Sequence, residues 1–415
     1  MKLKVQKCEG VLGTVNISGS KNTALPIIAA CLLTKKTITL KNIPLITDVL
    51  LMLEIIKSMG VQVIKDQNTV KIKAKSFTPI INSKDVCKLR GSYYLIGAAL
   101  TRYKMCSIKM PGGCNFSSRP IDLHVKAFEE LGFKTSLSKT TLHVKQNQEP
   151  NSEIVFEKKT VGATINAILA SSLMNKEITI INPSFEPEVL ETIIFLKKLG
   201  IKIEVVNNKI LIKGYDSIRS ITHTIVSDRI EAGSYMLLAA SIPHSNLQIK
   251  NVPVKYMKSV FNVLEMIGCK IYQNKNDVRI ISNDIKKIKL EISEYPSFPT
   301  DLQQILTVAL LTASKTSYIK DNIYPGRTSH IAELNKMNGK MERINDYIQV
   351  KSSKLVGTNV IAKDLRACFA LIVAGSIAEN ETIIDNADIL FRGYEKPLIK
   401  LNKIGIKISE YICKS

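Results

Sequence analysis

The sequence predicts an α/β fold of two domains, each built from three copies of a β-α-β-α-β-β unit with its helices inside and its sheets outside. Three observations carry that expectation. A pattern of helix end, small turn and two short alternating strands recurs along the chain. A second pattern, in which a polar or charged start leads into a helix of small apolar residues, recurs between copies of the first. The chain has 415 residues, more than the ~250–300 at which single cores stop growing.

The first pattern occurs six times, as SMGVQVIKDQNTVKIKA, ELGFKTSLSKTTLHVKQ, KLGIKIEVVNNKILIKG, MIGCKIYQNKNDVRIIS, KMNGKMERINDYIQVKS and the truncated KIGIKISEYICKS. Its turn residues are Gly60, Gly132, Gly200, Gly268, Asn338 and Gly405, spaced 67 to 72 residues apart. Glycine and asparagine accept the left-handed conformation that ends a helix. The second pattern starts GSKNTALPIIAACLL, LRGSYYLIGAAL, KTVGATINAILASSL, SDRIEAGSYMLLAAS, PTDLQQILTVALLTA and KDLRACFALIVAGSI. These helices are apolar on most faces, so they belong in a core. Short strands such as TITLKNIP, EITIINPS and LQIKNVP follow them. The domains are expected at residues 20–226, and at 1–19 with 227–415. The first ~20 residues carry a strand without its own helix pair, which would complete the sixth unit.

One position in this repeat concentrates polar chemistry. At or just before the small-residue helix stand Lys21 and Asn22, Arg90, Thr160, Asp228 and Arg229, Asp301, and Asp364 and Arg366. Helix N-termini present free N–H groups and a positive dipole end, which suit phosphate and carboxylate. If the helices run parallel within a domain, these starts converge. N-capping accounts for Thr160 taken alone and is the plainer role for Asp301. It does not account for Lys21, Arg90 or Arg366, since a cation is disfavoured at that end without an anion.

The stretch PGGCNFSSRPIDLH, residues 111–124, lies between an apparent strand, CSIKM, and an apparent helix, VKAFEELG. It reads as a mobile loop, with Gly112 and Gly113 able to absorb large dihedral changes. Cys114 can donate a proton near neutral pH, or act as a nucleophile if a cation such as Arg119 stabilises its thiolate. A lone cysteine is more often a small buried hydrophobe. Here its glycine, asparagine and serine neighbours make a poor apolar pocket.

Composition narrows the function classes. The longest apolar run, ALPIIAACLL, falls short of the ~18–20 residues that span a bilayer, and MKLKVQKCEG lacks a signal peptide's apolar core. A cytoplasmic protein is expected. The eight cysteines show no C-x-x-C pair and the five histidines are scattered, which points to reduced thiols and no metal site. Net charge is +22, but the lysines are dispersed and no nucleic-acid motif accompanies them. Small anionic substrates fit better, with neither nucleic acid nor membrane as partner.

The segments SGSKNTALPIIAA, LRGSYYLIGAAL, PGGCNFSSRPIDLH, TVGAT, EPE, SDRIEAG, FPTDLQ, KDLRA and FRGYEK, in this order, resemble the UDP-N-acetylglucosamine enolpyruvyl transferases. The resemblance runs from about residue 5 to about residue 408. It implies a two-domain inside-out α/β barrel, and transfer of enolpyruvate from phosphoenolpyruvate (PEP) to the 3-hydroxyl of UDP-N-acetylglucosamine (UDP-GlcNAc) with release of phosphate. That is the first committed step of peptidoglycan synthesis, tied to cell-wall growth, shape and division, and it implies no cofactor. Cys114 falls at the family's proton-donor position and Asp301 at the carboxylate facing the attacking hydroxyl. Lys21, Asn22, Arg119 and Arg392 match PEP contacts, with Lys21 and Arg392 also placed in the catalytic set. Arg90, Arg119, Pro120, Ile121, Asp122, Leu123, Lys158, Lys159, Thr160, Val161, Asp301 and Ile323 match UDP-sugar positions. Arg327 and Arg366 match cations drawn in when the domains close. Ser117, Pro325, Gly326 and Ile389 depart from the family's usual residues, which bears on rate and inhibitor response rather than on reaction class. Two other readings compete. One is the sister transferase acting on shikimate 3-phosphate, against which stand Cys114 and TVGAT. The other is a non-catalytic UDP-sugar sensor, which would not need a proton donor.

Overall fold

A computed structural model of the chain describes residues 1–110, 121–138 and 140–411. The chain divides into two compact units, Gly19–Val226 and a second formed by Met1–Ser18 with Ser227–Ser415. Among the described residues there are six four-stranded sheets, three in each unit. Each has the same order, a first strand parallel to a second, then two antiparallel strands, and in five of the six those two strands form a hairpin. In the Gly19–Val226 unit one sheet runs Glu153–Val155, Ile178–Ile181, Lys209–Tyr215, Ile201–Val206. The helix Val161–Ser171 makes its parallel crossover and Pro187–Leu199 leads into its hairpin, so the expected β-α-β-α-β-β order holds.

The sheets are closed by segments distant in sequence. Thr222–Thr224 supplies the missing first strand beside Thr37–Lys41. The N-terminal segment contains two strands rather than the one expected. Leu3–Gln6 lies between Thr382–Asp385 and Lys407–Glu410 and completes the sixth sheet, while Leu12–Asn16 pairs in parallel with Asn246–Lys250 and opens the fourth. Gly10, between them, allows the close turn: a Cβ there would lie 3.2 Å from the His244 carbonyl oxygen.

The small-residue helices form the cores. In Lys21–Ala30 every residue from Thr23 is buried, and in Val161–Ser171 every residue from Ala163. Arg229–Ser241, Gln303–Leu311 and Leu365–Ile377 are likewise buried almost throughout. Small side chains are needed because these helices touch. A Cβ on Gly97 would lie 2.7 Å from the Asn166 backbone oxygen. Burying each Leu or Ile contributes ~1.5–3 kcal/mol, which explains why helices of such low polarity lie inside. The six turn residues adopt the left-handed conformation, with φ of 96° at Gly60, 80° at Gly132, 114° at Gly200, 105° at Gly268, 65° at Asn338 and 96° at Gly405. The six described cysteines are free thiols. Among the described residues no helix is long and apolar enough to cross a membrane.

Candidate functional site

Each repeat delivers a polar residue to the start of a core helix. In the Gly19–Val226 unit, Lys21 is the first residue of Lys21–Ala30, behind Ser20, whose hydroxyl accepts from the Thr23 N–H at 3.3 Å. A cation at this end opposes the helix dipole. Asp48, nearly buried in the first turn of Thr47–Ser58, offsets it with Oδ2 3.4 Å from Lys21 Nζ. Asn22, the next residue, is half-buried.

Arg90 opens the 3-10 turn Arg90–Tyr93 that runs into the core helix Tyr94–Tyr103, and its guanidinium carbon lies 5.7 Å from the Tyr93 ring centroid. A Cβ on Gly91 would be 2.8 Å from Leu25 Cδ1, so the starts of two core helices adjoin. The third joins through His124. Its ring lies 5.5 Å from that of Tyr93, and a Cβ on Gly162 would be 2.9 Å from its Nε2. Asn166 donates to His124 Nδ1 at 2.9 Å while its own Oδ1 accepts from the Gly97 N–H at 3.0 Å. That pairing assigns a neutral imidazole protonated at Nε2. Burial lowers the His124 pKa to about 4, Arg90 adding to the shift and Asp122 opposing it. Tyr94 is pushed up by burial and by Glu188, against Arg90.

Thr160 caps Val161–Ser171 by backbone position, but its side chain makes no capping bond. Lys158 and Lys159 before it are exposed, and Val161 is half-buried. Ile121, Asp122 and Leu123 lie at the start of Asp122–Glu130, with Asp122 exposed. Cys114, Ser117, Arg119 and Pro120 lie outside the described residues.

In the other unit the three core-helix starts are acidic. Asp228 and Asp364 are true caps: Asp228 Oδ1 accepts from the Ile230 and Glu231 N–H groups, and Asp364 Oδ1 from those of Arg366 and Ala367. Asp301 does not follow them. The chain enters Gln303–Leu311 through the 3-10 turn Thr300–Leu302, whose N-cap is Pro299, and the Asp301 carboxylate sits between two guanidinium groups. Arg327 Nη1 donates to Oδ1 at 2.8 Å; Arg366 donates to Oδ2 from Nη2 at 3.0 Å and Nε at 3.2 Å. Helix capping is therefore not its role.

Both arginines are buried and held from elsewhere. Arg327 Nη1 also donates to the Thr300 carbonyl at 2.7 Å and its guanidinium lies 5.3 Å from the Tyr324 ring centroid. Arg366 lies 5.3 Å from the Tyr394 ring centroid, and the Tyr394 hydroxyl is 2.8 Å from Ser234 Oγ. Burial works against the Arg366 charge, yet Tyr394, Asp301 and Asp228 together raise its pKa. Acids at or near the starts of the other two core helices thus favour the charge on Arg366. Ile323 is 40% exposed, its N–H bonded to Asp321 Oδ1 at 3.0 Å. Arg392 ends the 3-10 turn Ala387–Arg392 and is half-buried, and Ile389 in the same turn packs on the core. Pro325 and Gly326 precede Arg327 in an open turn, where a Cβ on Gly326 would meet nothing within 4 Å.

Residue patterns did not single out Asp48, Glu188, His124, Asn166, Gln304, Ser329 or Tyr394. Glu188, His124 and Tyr394 stand within the quoted segments EPE, PGGCNFSSRPIDLH and FRGYEK. Asp48, Asn166 and Ser329 match polar partners across elements, which no local pattern reveals. Among the described residues no group of three or more His, Cys, Asp or Glu could hold a metal ion.

Residues 5–401 match the family model described as EPSP synthase (3-phosphoshikimate 1-carboxyvinyltransferase). The chain is 36% identical over 411 residues to the UDP-N-acetylglucosamine 1-carboxyvinyltransferase of Wolbachia pipientis wMel, with 96% of each chain covered. It is 37% identical over 399 residues to that of Halothermothrix orenii, covering 95% of this chain and 96% of the other. Among solved structures, the enolpyruvyl transferase NikO from Streptomyces tendae aligns with a TM-score of 0.90 at 20% identity over 98% of both chains. EPSP synthase from Acinetobacter baumannii aligns with a TM-score of 0.76 at 16% identity, over 99% of this chain and all of that one.

Proposed function

The chain belongs to the enolpyruvyl transferase family, and from that premise we propose that it transfers the enolpyruvyl group of PEP to the 3-hydroxyl of UDP-GlcNAc. The observation that carries the acceptor is whole-length similarity, at 36–37% identity, to proteins named for that sugar nucleotide. In this reading a proton reaches the PEP methylene carbon from Cys114, the acceptor oxygen bonds to the adjacent carbon, and loss of a methyl proton with expulsion of phosphate restores the double bond. Lys21, Asn22, Arg119 and Arg392 hold the phosphate and carboxylate of PEP, charges that planar guanidinium groups engage bidentately.

Asp301 faces the attacking hydroxyl. A carboxylate gripped by Arg327 and Arg366 through three hydrogen bonds has a fixed orientation, as a group that must meet one hydroxyl requires. Arg90, residues 121–123 and residues 158–161 lie at or near the core-helix starts of their unit and take the UDP-sugar, with Ile323 as an apolar contact. The two domains of this reading are residues 20–226, and 1–19 with 227–415. A cytoplasmic location and a part in cell-wall growth, shape and division follow from the reaction.

The test is phosphate release from PEP, without added metal, in the presence of UDP-GlcNAc or shikimate 3-phosphate. Turnover with the sugar nucleotide alone is expected. Turnover with shikimate 3-phosphate would transfer the chain to the activity printed in the family description, and binding of UDP-GlcNAc without phosphate release would make it a sensor.

A further inference from the structure

Asp301, Arg327 and Arg366 come from three separate segments of one unit, and each segment runs directly into a helix. A single buried carboxylate is bonded to all three of those helices. Asp364 caps Leu365–Ile377 with Oδ1, accepting the Arg366 and Ala367 N–H groups at 2.9 Å each. Its Oδ2 accepts from Ser329 Oγ at 2.6 Å, in the first turn of Ser329–Lys336, and from Gln304 Nε2 at 3.1 Å, in the first turn of Gln303–Leu311. Ser329 and Gln304 also lie 3.3 Å apart. Asp364 is 5% exposed and Gln304 fully buried.

Capping needs only one carboxylate oxygen. The second is occupied by donors two residues beyond Arg327 and three beyond Asp301. Gln304 holds its amide nitrogen toward Asp364 although its own Oε1 has no partner among the described residues. A buried acceptor left in that state is unfavourable, so the charged acceptor sets the orientation of the amide.

We propose that Asp364, Ser329 and Gln304 form a positioning clasp that sets Asp301, Arg327 and Arg366 in register for transfer. The inference rests on the transferase reading given above. None of the three touches the reacting atoms in this account; they act through the backbone of Asp301, which faces the hydroxyl, and of the two arginines that hold it. A displacement of about 1 Å at a reacting group can lower turnover by ~100-fold, so loosening one strand of the clasp acts on kcat rather than on acceptor binding.

Asp364→Ala removes a helix cap as well and could unfold the unit, so the informative variants are Ser329→Ala and Gln304→Met. Two readouts are taken on each: amide hydrogen exchange at Arg366 and Ala367, and steady-state phosphate release with PEP and UDP-GlcNAc. Exchange at those amides is expected to speed up selectively. The kcat should fall about tenfold per variant with the KM for UDP-GlcNAc within about twofold, and Ser329→Thr, which keeps the hydroxyl, should restore both. Unchanged exchange overturns the clasp, and so does faster exchange at unchanged kcat. A fall in kcat matched by a rise in KM and a general loss of thermal stability overturns it too. A wild-type protein silent with both substrates would instead overturn the transferase reading, and the exchange data, which need no turnover, tell the two failures apart.

Discussion

The two units use the same position of the same repeat in opposite ways. At the core-helix starts of Gly19–Val226 stand Lys21 and Arg90, cations added where backbone amides already present positive charge. Lys21 meets a nearly buried acid only at 3.4 Å, and Arg90 leans on an aromatic ring. At the corresponding starts of Ser227–Ser415 stand Asp228, Asp301 and Asp364, and the buried cations Arg327 and Arg366 are bonded to Asp301. One unit places cations at this position, the residue type that a site for anions requires. The other neutralises itself around a carboxylate whose orientation is fixed. The repeat fixes where a polar group is delivered, and the residue type decides whether that place binds charge or orients a reacting group.

The largest expected effect comes from breaking the neutralised side. Asp301→Ala leaves two buried guanidinium groups without their carboxylate. Losing one partner of a buried pair costs ~3–5 kcal/mol, so thermal unfolding should begin earlier and phosphate release should fall by at least ~1,000-fold. Asp301→Asn keeps the shape and should recover much of the stability but little of the turnover. Near-normal turnover in Asp301→Asn would remove the carboxylate from the chemistry.

Next is the positive side. Lys21→Ala should weaken PEP use by ~30-fold or more, since losing a charged partner to a desolvated anion costs ~2–5 kcal/mol. Arg392→Ala, in the other unit, should act in the same direction. Calorimetric titration of UDP-GlcNAc should show affinity within about threefold of wild type for both. A parallel loss of acceptor affinity would reassign these cations to the sugar nucleotide.

A third test separates the units by pH. His330, fully buried beside Asp364 and Arg327, has no ring partner among the described residues. Burial depresses its pKa from 6.5 to about 4, with Asp364 opposing and Arg327 adding. The unfolded chain therefore binds a proton that the native one refuses. Stability from this group is full above pH 6.5 and is lost as pH falls toward 4, by up to ~3 kcal/mol. His330→Phe removes the titration without removing a described hydrogen bond. It should flatten the fall in unfolding midpoint over that window; an unchanged slope would mean that the ring is already protonated in the native state. His124 and His223, both in Gly19–Val226, are depressed to about 4 as well, so that unit should retain its acid sensitivity in the variant.

The repeat was legible in the sequence because it is carried by local signals: a left-handed residue after each helix and a run of small apolar residues in each core. The closing strands were less so. Leu12–Asn16 is a short strand paired with a segment more than 200 residues away, and nothing near it in sequence marks it as separate from Leu3–Gln6. The same limit applies at the site. Lys21, Arg90 and Arg366 stood out because a cation at a helix start conflicts with the dipole, a conflict visible within one helix. Asp301 was open to a capping role, because Arg327 and Arg366 reach it from 26 and 65 residues away. Gln304 and Ser329 raise no local conflict at all.

The smallest effects test whether the turn residues of the two units are equivalent. Gly60 has φ of 96° and open space around it, while Gly132 has φ of 80° and a Cβ there would lie 2.3 Å from the Gln148 carbonyl oxygen. Gly60→Ala therefore carries only the backbone penalty of a left-handed L-residue, ~1–2 kcal/mol. Gly132→Ala adds a clash with backbone that cannot rotate away, worth ~1–3 kcal/mol more. At the fifth turn, Asn338 already tolerates φ of 65° and its Nδ2 donates to the Lys354 carbonyl at 3.0 Å. Asn338→Gly relieves the strain of a Cβ and loses an exposed hydrogen bond, two terms of about 1 kcal/mol or less that oppose each other. Its unfolding midpoint should stay within about 2 °C of wild type, with Gly60→Ala below it and Gly132→Ala lowest. If Asn338→Gly instead falls as far as Gly60→Ala, the Asn338 side chain is holding the segment around Lys354, beyond the strand Tyr347–Lys351, in place, and the fifth turn is not a simple copy of the others.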